Sequence, residues 1–162
     1  MDLRIRSVMN DRMLSLGTGT GNNRTVDLST LGITGLTSAD IQILAGEHSS
    51  VKKDDERSWV EPFLVKNPQV IYTPSKFGVS RKKGQYTVWI KTPLSEGLYF
   101  NEALAGMVEE HFENNLHLPL SDGDVITILK TYQQATITVD SSSGRLFNRV
   151  FVDFEVYYES QK

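Results

Sequence analysis

The sequence has no cysteine, no long apolar run and no excess of basic residues. Without cysteine, disulfide bonds, thiolate catalysis and cysteine-ligated metal sites are excluded. A membrane-spanning helix needs about 18 consecutive apolar residues, and no segment approaches this, so we expect no membrane association. The formal net charge is −3, whereas a dedicated nucleic-acid-binding domain is usually basic. These absences leave an ordinary soluble protein as the expectation.

Residues that could carry catalysis or bind a cofactor also lack the required context. His48, His111 and His117 do not have the spacing of a zinc or iron site. The glycines of Gly17–Gly21 follow a predicted helix, whereas a phosphate loop needs a strand before it and a helix after it. Ser141–Gly144 has the composition of a loop and does not resemble a nucleophile elbow. We therefore expect no enzyme activity, no cofactor and no metal.

The length of 162 residues suits a single domain, 1–162, that can bury a substantial core. Region 17–58 carries weak structural signals and is treated as an uncertain insert or loop region. Within it, His48–Ser58 has the composition of an exposed charged loop. The first residues, "MDLRIRSVMNDRM", have no apolar core of a signal peptide. We therefore expect the chain to be made, and assembled, in a cytoplasm.

Apolar residues at helical spacing predict two main helices. The first covers Asp2–Leu16, with Gly17 at the position of a C-terminal glycine cap. The second covers Asn101–Asn114, with its glutamates mostly facing water. Between them, "GTGTGNNRT" is typical of a flexible connector. The segment Ser38–Ala45 is open to two interpretations, a short helix or an edge strand.

Alternating or β-rich segments predict a set of strands separated by turns. Gly84 in "SRKKGQ" is the expected pivot of a turn, Pro93 is expected to end a strand, and "DSSSGR" has a hairpin-loop composition. The segments after Val125 form either two strands or one bent strand. The predicted strands are Trp59–Val65, Gln69–Thr73, Gln85–Thr92, Val125–Tyr132, Ala135–Val139 and the C-terminal strand. This order predicts an α+β fold, with a mostly antiparallel sheet and two main helices packed on one face.

The C-terminal strand has two chemically different faces because side chains alternate along a strand. One face is apolar and belongs in the core: Val150, Val152, Phe154, Val156 and Tyr158. The opposite face carries Phe151 and Tyr157 among polar residues. In the predicted strand Gln85–Thr92, Trp89 likewise lies on the side opposite Tyr86, Val88 and Ile90. We hypothesise that Trp89, Phe151 and Tyr157 lie at an interface with another copy. The alternative is that the insert folds over them within the subunit.

A second candidate interface is basic. "SKFGVSRKKGQ" places Arg81, Lys82 and Lys83 close to Lys76 in what is predicted to be a projecting loop. Such a loop could contact an acidic partner surface. It could equally be a solvated hairpin tip whose charge discourages edge-to-edge strand pairing.

Several segments in this order resemble the tail-terminator, or tail-completion, proteins of long-tailed bacteriophages. They are the N-terminal helix "DLRIRSVMNDRMLSL", the strand "WVEPFLV", "GQYTVWIKTPLSEG" running into "NEALAGMVEEHF", and the closing "RVFVDFEVYYE". The resemblance covers Met1–Leu16 and Trp59–Glu159 and is one of pattern and order, since the family has no invariant catalytic motif. The long stretch Gly17–Ser58 departs from the pattern.

The resemblance implies a structural virion protein at the head-proximal end of the tail. It would form a ring, hexameric in this family, that caps the tail tube, ends tail polymerisation and offers a surface for joining the head. The implied partners are other copies of the chain, the tail tube protein and a head-completion or connector protein. Genomic DNA would contact the central hole transiently and without sequence specificity. The alternatives are a head–tail connector or stopper of the neck and a small ligand-binding module.

Overall fold

The structure is a computed structural model and describes residues 3–45, 57–64, 70–71, 79–121 and 123–159. Two α-helices lie in these ranges, α1 (Leu3–Leu14) and α2 (Gly97–His111). The strands are β1 (Thr18–Thr20), β2 (Asn23–Asp27), β3 (Ser38–Ile43), β4 (Ser58–Leu64), β5 (Val70–Ile71), β6 (Val79–Pro93), β7 (His117–Pro119), β8 (Val125–Gln133), β9 (Thr138–Asp140) and β10 (Arg145–Glu159).

The strands form one sheet in the order β1-β2-β3-β4-β6-β10-β8-β7, with β5 paired to β6 and β9 paired to β10. All of these pairs are antiparallel except β3–β4, which is parallel. The two longest strands, β6 and β10, pair along their whole length at the centre of the sheet. The predicted α+β class with a mostly antiparallel sheet is therefore confirmed.

Both helices pack on the same face of the sheet, which we call the covered face. Tyr86 of β6 links them, because its ring lies 5.7 Å from that of Phe112 at the end of α2 and its hydroxyl donates a 2.7 Å hydrogen bond to Asn10 Oδ1 of α1. Of the predicted core residues of β10, Val150, Val152, Phe154 and Val156 lie here, and the side chain of Tyr158 falls outside what the structure describes. The fully or almost fully buried strand residues of this face include Ile41, Ile43, Val60, Val88, Ile90, Ile126, Ile128, Val150, Val152, Phe154 and Val156.

Residues 17–45 extend the sheet, which corrects the prediction of a connector and decides between the two interpretations of Ser38–Ala45. The expected connector 17–25 folds into the β1–β2 hairpin, and 38–43 is a strand, which rejects the helical interpretation of Ser38–Ala45. β3 is also not an edge, because it pairs with both β2 and β4. Sheet pairing to distant strands overrides the weak local signals here. Of the predicted charged loop His48–Ser58, residues 48–56 fall outside the described residues, and Ser58 begins β4.

Gly84 is the clearest error of the sequence analysis. It does not pivot a turn but lies inside β6, directly opposite Phe154 of β10. A Cβ at this position would lie 2.6 Å from Phe154 Cζ, so the glycine makes room for a core ring. Similarly, Gly17 does not have the positive φ of a helix cap, and a Cβ there would approach Arg24 Cβ at 2.8 Å.

The other boundaries differ less from the prediction. Pro93 ends β6 as expected, and a 3₁₀ turn at Leu94–Glu96 leads into α2, which begins earlier and ends earlier than predicted. The segments after Val125 form two separate strands, β8 and β9. The β9–β10 hairpin loop is confirmed. There the Ser142 hydroxyl donates to Asp140 Oδ1 at 2.7 Å, and such bonds lower the pKa of Asp140.

Candidate assembly surface

The face of the sheet opposite the helices, which we call the outer face, presents aromatic and charged side chains in rows across the strands. Register places Trp59, Lys91 and Phe147 in one row. The next row contains Glu61, Trp89 and Arg149, and the one after it Phe63, Thr87, Phe151 and Tyr132. The rows arise because every second residue of β4, β6 and β10 points to this side.

Lys91 lies at the centre of the first two rows. Its Nζ is 5.9 Å from the ring centroid of Trp59, 5.7 Å from that of Trp89 and 5.5 Å from that of Phe147. The same Nζ is 3.1 Å from Glu61 Oε1. One ammonium group is thus held by three rings and a carboxylate, each cation–π contact contributing about 0.5–1 kcal/mol.

Arg149 connects this group to the third row. Its guanidinium lies 4.5 Å from the Trp89 ring and 5.6 Å from the Phe151 ring, and Nε donates to Gln134 Oε1 at 3.2 Å. Phe151 in turn stacks on Tyr132 with centroids 5.2 Å apart. We call Trp59, Trp89, Lys91, Tyr132, Phe147, Arg149 and Phe151 the aromatic–cation cluster.

The outer face around the aromatic–cation cluster has a buried end and an open end. Arg145 is only 4% exposed; its guanidinium lies 3.9 Å from the Trp59 ring and donates to the Arg57 carbonyl at 2.8 Å. By contrast, Phe63 is 50% exposed and Tyr157 is 46% exposed. Trp89 and Phe151 are intermediate, being covered in part by their own neighbours. The outer face is therefore ordered within the subunit but keeps aromatic surface accessible.

The three predicted aromatic interface residues lie on this one face. Trp89 and Phe151 both belong to the aromatic–cation cluster, joined through Arg149. Tyr157 lies further along β10, opposite Arg81 and Val125, and is outside the cluster. Of the insert 17–58, residues 17–45 extend the edge of the sheet through β3–β4 pairing, and residues 46–56 fall outside the described residues.

The basic candidates are not on a projecting loop, so that prediction is wrong. Arg81, Lys82 and Lys83 lie within β6, opposite Tyr157, Val156 and Glu155 of β10. Because side chains alternate along β6, Lys82 lies on the same face as Tyr86, which is the covered face. Lys83 lies on the same face as Trp89, which is the outer face. Three successive basic residues in a strand therefore cannot act as one patch, and Lys76 falls outside the described residues.

Sequence reasoning missed Tyr132, and a bulge in β8 is the reason. The register against β10 passes from Asp153–Lys130 to Phe154–Ile128, which leaves Leu129 as an extra residue. Strict alternation would place Tyr132 on the same side as the buried Ile128. After the extra residue, the side chains of β8 point to the opposite faces from those that strict alternation predicts. Tyr132 therefore lies on the outer face, where it contacts Phe151. Trp59, Phe147 and Arg149 could have been found from their alternation, given the strand pairing.

His111 takes part in a contact between the helices. Its Nε2 lies 2.6 Å from the Arg12 carbonyl, and the Arg12 Nη2 donates at 2.7 Å to the His111 carbonyl. Burial, with a contribution from the nearby Arg12 charge, lowers the pKa of His111. His117 lies in β7, where its Nδ1 is 3.2 Å from Thr127 Oγ1. His48 falls outside the described residues.

Within the described ranges, no three potential ligands from His, Asp and Glu come together as a metal site. Over the same part of the chain, neither helix has the length and apolarity needed to cross a membrane. No protein-family model and no curated protein matches this chain. One solved structure is similar over 99% of both chains, with a TM-score of 0.59 and 10% sequence identity. At that identity the likeness shows a shared fold and nothing about activity.

Proposed function

We propose that this protein is a structural subunit that assembles into a ring, as the tail-terminator proteins of long-tailed bacteriophages do. The ring, hexameric in that family, would cap the tail tube, end its polymerisation and provide the surface for joining the head. It would be located in the virion, at the head-proximal end of the tail. Its partners would be further copies of the chain, the tail tube protein and a head-completion protein, and genomic DNA would pass through the hole.

The observation that supports this proposal best is the outer face. A sheet whose second side carries Trp, Tyr, Phe and Arg has the composition of a protein interface core, where these residue types are enriched. Phe63 and Tyr157 keep about half of their surface exposed there. Large exposed aromatic surface is typical of an association site. The described insert residues 17–45 lie in line with the sheet at its edge.

The order of the aromatic–cation cluster within the subunit also favours association. Trp89, Arg149 and Phe151 are held by mutual contacts, with Arg149 fixed by Gln134. Side chains that are already fixed lose less conformational entropy when a partner covers them. The outer face is thus preorganised for binding a rigid surface such as another copy of the chain.

The test is to purify the protein, measure its mass by light scattering over a range of concentrations, and look for annular particles by electron microscopy. Phe151→Asp places a carboxylate in the aromatic–cation cluster and is expected to give a folded subunit that no longer assembles. Ser121→Asp adds the same charge in an exposed turn and should assemble like the parent. A parent protein that stays monomeric at every concentration would contradict the proposal.

A further inference from the structure

A second exposed apolar surface surrounds the start of α2. Tyr99 is 79% exposed and Leu98 is 54% exposed, and Leu94 and Val139 are also largely uncovered. Val139 is placed near this surface because it lies opposite Leu146 of β10, whose carbonyl accepts a 3.4 Å hydrogen bond from Asn101 Nδ2 of α2. We call Leu94, Leu98, Tyr99 and Val139 the α2-start patch.

The α2-start patch is positioned by fixed contacts. Asn101, one turn from Leu98, is fully buried and donates through Nδ2 to Thr92 Oγ1 at 2.8 Å. The Leu94 amide donates to the Gly144 carbonyl at 3.0 Å. These bonds tie the helix start to β6 and to the β9–β10 loop, so the outward position of Leu98 and Tyr99 is set by the fold. Tyrosine is enriched among the residues that anchor protein interfaces.

The charges next to the two exposed surfaces are opposite in sign. From Leu94 to Phe112 the chain has four glutamates and no lysine or arginine, and Glu96 and Glu102 beside the α2-start patch are exposed. Around the aromatic–cation cluster, Lys91 is paired with Glu61, and the further cations are Arg149 over the Trp89 ring and Lys130 over the Tyr132 ring. Complementary charge steers two surfaces into one orientation. The two surfaces are therefore complementary in the sign of their charge.

We infer that the α2-start patch of one copy docks on the aromatic–cation cluster of the next copy. The contact is then heterologous, with a different patch from each copy, and repeated heterologous contacts close into a ring when the rotation allows it. Tyr99 and Leu98 supply apolar anchors, and Glu96 and Glu102 face the cations around Trp89. This inference rests on the proposed self-assembly and specifies which two surfaces carry it.

The test uses two variants, each of which damages one surface. Tyr99→Asp adds a carboxylate to the α2-start patch, and Phe151→Asp adds one to the aromatic–cation cluster. Each alone should assemble at least about tenfold more weakly than the parent. When mixed, the intact cluster of Tyr99→Asp can bind the intact α2-start patch of Phe151→Asp. Light scattering should therefore show a dimer in the mixture and nothing larger.

Two controls accompany the mixture. Tyr99→Phe keeps the ring and should assemble like the parent, and circular dichroism should show that every variant is folded. Association of the parent should also weaken as salt rises from about 0.05 M to about 0.5 M, because exposed charge pairs are screened.

The outcomes separate this inference from the proposed function. If Tyr99→Asp assembles like the parent while Phe151→Asp does not, the copies associate through the outer face alone and the heterologous contact is wrong, although self-assembly stands. If both variants are monomeric and their mixture forms no dimer, the pairing of these two surfaces is likewise overturned. If the parent itself is monomeric, both the inference and the proposed function fail.

Discussion

The covered and outer faces of the central β6–β10 pair are built from the same two strands but by different means. On the covered face, Val88, Val150 and Phe154 are buried beneath the helices. On the outer face, Trp89, Arg149 and Phe151 contact one another and stay partly exposed. Full burial of a large apolar side chain contributes about 1.5–3 kcal/mol, whereas a cation–π contact contributes about 0.5–1 kcal/mol.

This difference means that the two faces have separable roles. The fold depends mainly on the covered face, so outer-face side chains can be chosen for contacts outside the subunit without unfolding it. Alternation along each strand makes this possible, because neighbouring residues such as Val150 and Phe151 point to opposite sides. Mutations of matched residues on the two faces therefore test whether the roles are distinct.

The largest expected effect is that of Phe154→Asp. Loss of a buried Phe side chain costs about 3–5 kcal/mol, and an unpaired carboxylate in the core adds to this. Domains of this size have about 5–15 kcal/mol of stability, so we expect an unfolded chain by circular dichroism. The matched Phe151→Asp, three residues earlier on the outer face, should retain a cooperative thermal transition. If Phe151→Asp also unfolds, the outer face is part of the folding core.

The next largest loss of stability is expected for Gly84→Ala. The new Cβ would lie 2.6 Å from Phe154 Cζ, and such overpacking costs about 1–3 kcal/mol. Phe154→Leu removes the ring and should recover much of this loss in the double variant, measured by urea denaturation as a double-mutant cycle.

Gly106→Ala is the control for this cycle. A Cβ there meets no atom within 4 Å, and the position lies inside α2. Alanine should therefore stabilise the helix by about 0.5–1 kcal/mol. If Gly84→Ala costs the same in the parent as in the Phe154→Leu variant, the ring is not what the glycine accommodates.

The sequence predicts features that depend on one element and fails for features that depend on pairing between distant strands. Periodicity within one element was enough to predict both helices and the inward side of β10, since burial repeats at the spacing of the element. Gly84 was assigned to a turn because its local composition is turn-like, whereas its actual role depends on Phe154, 70 positions away by number. Pairing between distant strands decides such roles, and a single sequence does not contain it.

The candidate site was predictable in part for a related reason. Trp89 and Phe151 were placed correctly on one face by alternation. Tyr132 was missed because the Leu129 bulge reverses the alternation of β8, and no turn residue marks that bulge in the sequence. The basic residues 81–83 were grouped by proximity along the chain, but β6 distributes them over both faces.

A smaller effect is expected when the two tyrosines of the central region lose their hydroxyls. Tyr86→Phe removes the buried donor to Asn10 Oδ1, a 2.7 Å bond, and should cost about 0.5–1.5 kcal/mol. Burial also raises the pKa of Tyr86, consistent with a neutral donor. Tyr132→Phe removes a longer, 3.4 Å contact with Gln85 Nε2 on the outer face, which water can replace, so its cost should stay within about 0.5 kcal/mol. If urea denaturation shows the same loss of unfolding free energy for both variants, the covered and outer faces do not differ in how much a hydroxyl contributes to stability.

The smallest effect concerns pH and lies at the contact between the helices on the covered face. His111 has a pKa lowered from 6.5 by burial, so below that pH the unfolded chain binds a proton that the folded chain does not. The free energy of unfolding should therefore decrease as pH falls from about 7 toward 5, above the range where carboxylates titrate. His111→Gln keeps an N–H donor near the Arg12 carbonyl but does not titrate. The free energy of unfolding of His111→Gln, relative to that of the parent, should accordingly rise as pH falls. Thermal or urea denaturation at each pH measures this difference. A difference between the two proteins that stays constant over this window would show that His111 titrates equally in the folded and unfolded states, and that the contact with α1 does not depend on a neutral imidazole.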